Sequence, residues 1–139
     1  MLRRLRSLAA ERRGVATIEF ATVGLAFFLM LFGIFELGRM ASAESALTYG
    51  TDVATRYAAV HGSASASPAS ATTVADQFTS AVSPVLGGAA PAPTVTFSPD
   101  NNPGSTVTVS ASYDWSPLSM GSSFPSVTLS AQSSLVIQH

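Results

Sequence analysis

The sequence predicts an α+β fold. A long N-terminal transmembrane helix continues into an amphipathic helix, and a short second helix and a small three-stranded antiparallel sheet follow. Three observations predict it. An apolar run from Val15 to Phe35 is broken by a single charge, Glu19. Helical spacing continues beyond the run, and no proline occurs before Pro68. The last third of the chain then alternates apolar residues with threonine and serine, the period of a half-buried strand.

A chain of 139 residues is long enough for one packed domain. Hydrophobic residues make up 47% and charged residues 11%, where soluble proteins carry about a quarter charged. The position of the charges explains the imbalance. All seven basic residues are arginine, and Arg3, Arg4, Arg6, Arg12 and Arg13 lie within the first 13 positions. Together with Glu11 they give this head a charge of +4, and the remainder carries −5. Residues 1–14 read as a basic leader and residues 15–35 as a transmembrane helix of about 30 Å, the thickness of the hydrocarbon core. Phe27, Phe28, Leu29, Leu31 and Phe32 are its anchor residues. The flanking arginines predict a cytoplasmic N-terminus and an extracytoplasmic C-terminal region of a single-pass protein. With no cysteine, disulfides and thiolate metal sites are excluded.

Residues 36–61 are predicted to be a projecting amphipathic helix, with Leu37, Met40, Leu47, Ala54 and Tyr57 along one stripe. Such a helix is marginal alone in water and needs a surface to pack on. Residues 62–71, Gly-Ser-Ala-Ser-Ala-Ser-Pro-Ala-Ser-Ala, have the composition of a flexible linker. The rest, 72–139, is a small α/β region. Thr73 to Asp76 has the pattern of a capping box, Val74, Phe78, Ala81, Val82 and Val85 share a helix face, and Pro84 with Gly87-Gly88 ends that helix. Three strands follow. Val95 and Phe97 lie on the first, and Val107, Val109, Ala111, Tyr113 and Trp115 on the second. Val127, Leu129, Ala131, Leu135 and Ile137 share a face of the third, with Ser133 interrupting them. Pro99 to Gly104 and Pro117 to Pro125 supply the turns. A sheet with one apolar face needs a cover and the helix needs a floor, so each is expected to complete the other.

The informative motif is Arg12-Arg13-Gly14-Val15-Ala16-Thr17-Ile18-Glu19-Phe20. It resembles a type IV prepilin cleavage site: basic residues, a glycine, then an apolar run with an acid five places on. Phe32-Gly33-Ile34-Phe35-Glu36-Leu37-Gly38-Arg39 resembles the second half of the TadE-family signature, and Ala54-Thr55-Arg56-Tyr57-Ala58-Ala59 is similar to its close. The resemblance covers about residues 12–60. It implies a pilin-like architecture and a pseudopilin or minor pilin of a Flp-type tight-adherence pilus, of the TadE or the related TadF kind. It further implies cleavage by a prepilin peptidase at Gly14, with Val15 as the new N-terminus, and a role for Glu19 and Phe20 in subunit assembly. The implied partners are the inner membrane, the peptidase and other pilin or pseudopilin subunits.

Two readings of Glu19 stand side by side. A carboxylate inside a membrane costs about 3 kcal/mol unless it has a partner, and a neighbouring subunit's Val15 α-amine would serve. Alternatively the acid snorkels to water beside the arginine cluster. Two rival readings of the whole chain also remain. One is an uncleaved, single-pass anchored periplasmic binding module. The other is a secreted β-rich protein cut after Ala41-Ser42-Ala43, although the apolar run is too long for a signal peptide. The mature N-terminus would be Val15, Met1 or Glu44 respectively.

Catalysis has little to stand on. His61 lies at a helix end, no Gly-x-Ser-x-Gly elbow exists, and the residues offer no metal ligand set, so neither a metal nor another cofactor is expected. Asp100-Asn101-Asn102-Pro103-Gly104 lacks the distal acid of a calcium loop and reads as a turn. Without a basic surface beyond the leader, nucleic acid is not an expected partner, and no small-molecule substrate is indicated.

Overall fold

A computed structural model describes residues 12–118 and 125–138. The leader up to Glu11, the part of the second predicted turn from Ser119 to Phe124, and His139 lie outside the described residues. Helix α1 runs Arg12–Val60 and α2 runs Ala71–Leu86, followed by a 3₁₀ turn, Gly87–Ala89. Strands β1 (Thr94–Ser98), β2 (Thr106–Trp115) and β3 (Val127–Val136) form an antiparallel sheet in the order β1-β2-β3. This is the predicted α+β layout. The chain divides into two units, one ending at Leu37 and one beginning at Gly38.

In the second unit the sheet register aligns the apolar residues on one face. Val95 stands opposite Val109 and Phe97 opposite Val107. Val109 in turn faces Ser133, Ala111 faces Ala131, and Tyr113 faces Leu129. The other face carries Thr94, Thr96, Thr108, Ser110, Ser112, Thr128, Ser130 and Ser134, so the sheet is apolar on one side and hydroxyl-bearing on the other. On that polar side the Thr128 hydroxyl donates to Asp114 Oδ1 at 2.6 Å. Val107, Val109, Ala111, Trp115 and Leu129 join Leu47, Ala54 and Ala58 of α1 and Val74, Phe78 and Val82 of α2 in one core.

The packed stripe of α1 contains Leu47 and Ala54 as predicted, with Met40 and Tyr57 half-buried against the core, but it is made mostly of small residues. Its buried residues are Ala43, Ala46, Leu47, Gly50, Thr51, Ala54, Thr55, Ala58 and Ala59, which recur at alternating steps of three and one. Small side chains line it because other elements approach the helix closely. A Cβ on Gly50 would stand 2.4 Å from Val82 Cγ1. The two buried threonines satisfy their hydroxyls along the helix: Thr51 donates to Thr48 O at 3.0 Å and Thr55 to Thr51 O at 2.6 Å. Leu37, expected on the stripe, is 64% exposed.

Helix α2 starts earlier than its predicted cap. Ser70 is the N-cap, accepting from Thr73 N at 3.2 Å, while Thr73 Oγ1 accepts from Ser70 N at 2.9 Å. Threonine thus fills the N3 position where glutamate usually stands, and Asp76 takes no part in the box. The helix also continues through Pro84. A proline there cannot donate to Ser80 O, and the Ser83 hydroxyl donates to that carbonyl instead at 3.4 Å. Gly87, at φ 57°, ends the helix.

Composition alone gives residues 62–71 the freedom of a linker, but the β1–β2 turn ties the segment down. Ser63 N donates to Asn101 O at 2.7 Å, Ser63 Oγ to Asn102 Oδ1 at 2.6 Å, and Asn101 Nδ2 to Ala69 O at 3.0 Å. Asp100 holds the turn itself. Its carboxylate accepts from Ser105 Oγ at 2.6 Å and from Asn102 N at 3.0 Å. The Ser105 hydroxyl first, and the Asn102 amide second, hold the Asp100 carboxyl below its ordinary value of 3.8. A depressed folded value means that the charged form contributes stability above the unfolded value. That contribution is lost as pH falls below 3.8 and through the lower folded value. Asp100→Asn is therefore expected to be less stable than wild type at neutral pH. The difference should shrink below pH 3.8, as read by thermal unfolding at the two pH values. An unchanged gap would show that Asp100 ionisation does not organise the turn.

Candidate membrane and assembly segment

From Gly14 to Phe35 the helix carries apolar residues on every side, with Glu19 the sole charge. Its most apolar window has a mean hydropathy of 2.2, and none of that window is buried. Phe20 is 79% exposed, and Val15, Ile18, Phe27, Phe28, Leu29, Leu31 and Phe32 are all exposed. A helix that is apolar all round and unburied by its own chain has lipid as its natural solvent. Phe27 and Phe28 meet edge to face at 5.8 Å, broadening one side of this surface. Thr22, a possible polar break, returns its hydroxyl to Ile18 O at 2.9 Å and leaves the helix exterior apolar.

Glu19 is exposed on this helix, and the residues one turn away, Val15, Ala16, Thr22 and Val23, are all uncharged. Phe20 is its immediate neighbour. Gly14 lies one turn before Ile18, and a Cβ placed on it would meet nothing within 4 Å. The structure therefore brings Gly14, Val15, Glu19 and Phe20 together within the first turns of an accessible helix. Phe27 to Phe32 lie farther along the same segment. Glu36, within the second TadE-like motif, is only 6% exposed and is engaged.

The family model for TadE-like protein matches residues 14–56. Over those residues the chain is similar to TadE-like proteins. The match spans less than a third of the chain and includes the glycine, the acid and the whole apolar run. No curated protein and no solved structure matches the chain. The segment is similar to TadE-like proteins, and its helix is long and apolar enough to cross a membrane.

The other chemistry-bearing residues have structural duties. His61 Nδ1 lies 2.9 Å from Tyr57 O, and its ring stacks on Tyr57 at 4.2 Å, closing the C-terminal end of α1. Among the described residues, no group of three or more His, Asp and Glu side chains is placed to hold a metal. Asp100 is occupied by its own turn. Trp115 is core, as its strand register predicted, and the Arg39 guanidinium lies over its ring at 5.9 Å.

Proposed function

We propose that the chain is a pseudopilin or minor pilin, a non-catalytic structural or assembly component of a Flp-type tight-adherence pilus machine. The observation that supports this most is the order of residues in the TadE-like segment. Basic residues precede Gly14, and an accessible apolar helix then bears one acid, Glu19. A prepilin peptidase cuts after Gly14 and releases Val15 as the mature N-terminus. The helix stays in the inner membrane, its N-terminal end toward the cytoplasm, until the subunit joins its partners. The second unit lies outside the cytoplasm.

Intact-mass measurement and N-terminal sequencing of the protein from membranes test the proposal directly. Val15 is the expected first residue. Met1 would favour an uncleaved anchored binding module, and Glu44 a secreted protein. Gly14→Ala, the mildest change, is expected to be cut nearly as well, whereas Gly14→Glu should retain the leader. Topology has its own check: a phosphatase fused after His139 is expected to be active. Activity of a cytoplasm-only reporter at that position would reverse the orientation.

A further inference from the structure

The side of α1 turned away from the core carries two unlike patches, both within the second unit. Tyr49, Asp52, Arg56 and Val60 recur at steps of three and four, so they share a helix face opposite the buried stripe. At one end of this face, Glu44, Ser45, Tyr49 and Asp52 border a shallow cleft of about 490 Å³. Tyr49 is 62% exposed, and Thr48 returns its hydroxyl to Glu44 O at 3.1 Å, so the patch presents chiefly two carboxylates and a phenol. At the other end, Arg56, Val60, Leu135, Val136 and Gln138 line a cleft of about 380 Å³. Gln138 N donates to Ala59 O at 2.7 Å and seats the end of β3 here. Val60, Leu135 and Val136 are each at least 40% exposed, and residues 127–138 carry no charge.

The chain itself completes neither patch. Among the described residues, no ion pair or side-chain hydrogen bond engages the carboxylates of Glu44 and Asp52 or the guanidinium of Arg56. Asp52 and Arg56 stand four residues apart, but such a pair on an exposed helix is weak, so Arg56 loses little by turning to another chain. The two patches complement each other. One sets negative charge around an exposed aromatic ring, and the other sets a positive charge beside an apolar floor. Tyrosine and arginine are the side chains that most often anchor protein interfaces, because each joins a large apolar body to a polar tip. The patches centre near Thr48 and Ala59, about 16 Å apart along the helix, so one copy can use both at once.

We infer that the Arg56 cleft receives the face formed by Glu44, Tyr49 and Asp52 of a second copy of this chain. The Tyr49 ring covers Val60, Leu135 and Val136, and the carboxylates meet the Arg56 guanidinium. Each copy gives one face and takes another, so the contact can repeat from copy to copy as well as close a dimer. It goes beyond the proposed pilus role and does not rest on it, since it lies wholly within the second unit.

The chain has no cysteine, so a single crosslinking site can be placed at each patch. Full-length Ser45→Cys and Gln138→Cys chains carry different tags and are mixed in detergent with a bifunctional maleimide. Ser80→Cys, exposed on α2 and lining neither cleft, replaces Ser45→Cys to measure chance encounters. The near-ultraviolet signal of Trp115 verifies folding of every variant. The Ser45–Gln138 crosslink is expected well above the Ser80 level, and high salt should weaken it. Arg56→Glu on the Gln138→Cys chain should lower the yield about tenfold, because it sets three acids together. Glu44→Arg with Asp52→Arg on the Ser45→Cys chain should lower it likewise, and mixing the two reversed chains should restore it. A yield at the Ser80 level would overturn the inference. So would a yield that neither reversal moves, which would mark association through another surface such as the apolar helix. Folded chains that fail singly and also fail when both are reversed would overturn it as well. None of these results touches leader removal or orientation, which intact mass and the fusions at His139 read separately.

Discussion

Gly50→Val is expected to destabilise the second unit by about 3 kcal/mol or more, the upper end of overpacking penalties. Even a bare Cβ at this position would lie 2.4 Å from Val82 Cγ1 and 3.1 Å from Phe78 Cδ2 and Cε2. Neither neighbour has an easy escape, because Val82 and Phe78 are both fully buried. Alanine is the informative milder case. It gains about 1 kcal/mol of helix propensity over glycine, which partly offsets the clash. Gly50→Ala should therefore cost less than Gly50→Val by a clear margin. The decisive variant is the double mutant Gly50→Ala, Val82→Ala. Removing the Val82 methyls costs about 2 kcal/mol alone but clears the space that the new Cβ needs. The pair should be more stable than the sum of the two single changes. Thermal unfolding of the full chain in detergent, followed through its single tryptophan Trp115, reads all four. For a unit of this size the Gly50→Val loss corresponds to a midpoint lowered by about 10 °C or more. Simple additivity would mean that α2 does not press on α1 at Gly50.

That contact shows where the fold was legible in the sequence and where it was not. The strands could be read because valine, tyrosine and tryptophan alternate with threonine and serine, and the register then stacks these same residues. The apolar run could be read because its signal is large and continuous. The packing stripe of α1 was read in part: Leu47 and Ala54 are buried and Met40 and Tyr57 pack against the core, while its other alanines and Gly50 carry little hydrophobic signal and were missed, and Leu37 was misassigned. Counting back from Leu47 at 3.6 residues per turn places Glu36 on the stripe and turns Leu37 about 100° away, which matches their burial. The cap of α2 was misplaced because a run of serines and threonines offers several equivalent starts, and only geometry selects Ser70. Likewise the Ser-Ala-rich segment has the composition of a free chain. What holds it is the pair Asn101 and Asn102, more than thirty residues away, and no local pattern reports such a partner. In the candidate segment, Gly14, Val15, Glu19 and Phe20 fall within one short stretch of a single helix, so a local motif brings them to notice, and their roles belong to the proposal. The leader preceding them, up to Glu11, lies outside the described residues.

Glu19→Gln is expected to leave membrane insertion and leader removal intact and to abolish assembly with pilus partners. Insertion survives because the change removes the one charge between Gly14 and Phe35. Cleavage survives because the cut lies several residues earlier, at Gly14. Assembly depends on a different balance. If the Glu19 carboxylate meets a neighbouring subunit's Val15 α-amine in lipid, glutamine leaves that amine buried without a counter-charge. Breaking one side of such a pair typically costs about 3–5 kcal/mol, a loss of roughly 100-fold or more in association. The exposure of Glu19, with only uncharged residues a helical turn away, favours a partner from another chain. The competing account has the carboxylate snorkelling to water near the arginine cluster, and under it the glutamine variant assembles normally. Co-purification and crosslinking of the variant with its pilus partners, together with a pilus count per cell, distinguish the two. Intact mass of the same sample confirms that the leader was removed. Mature Glu19→Gln protein in the membrane, without partners and without pili, is the expected result. Normal association and normal piliation would confine Glu19 to the membrane interface and remove the charge pair from the assembly step.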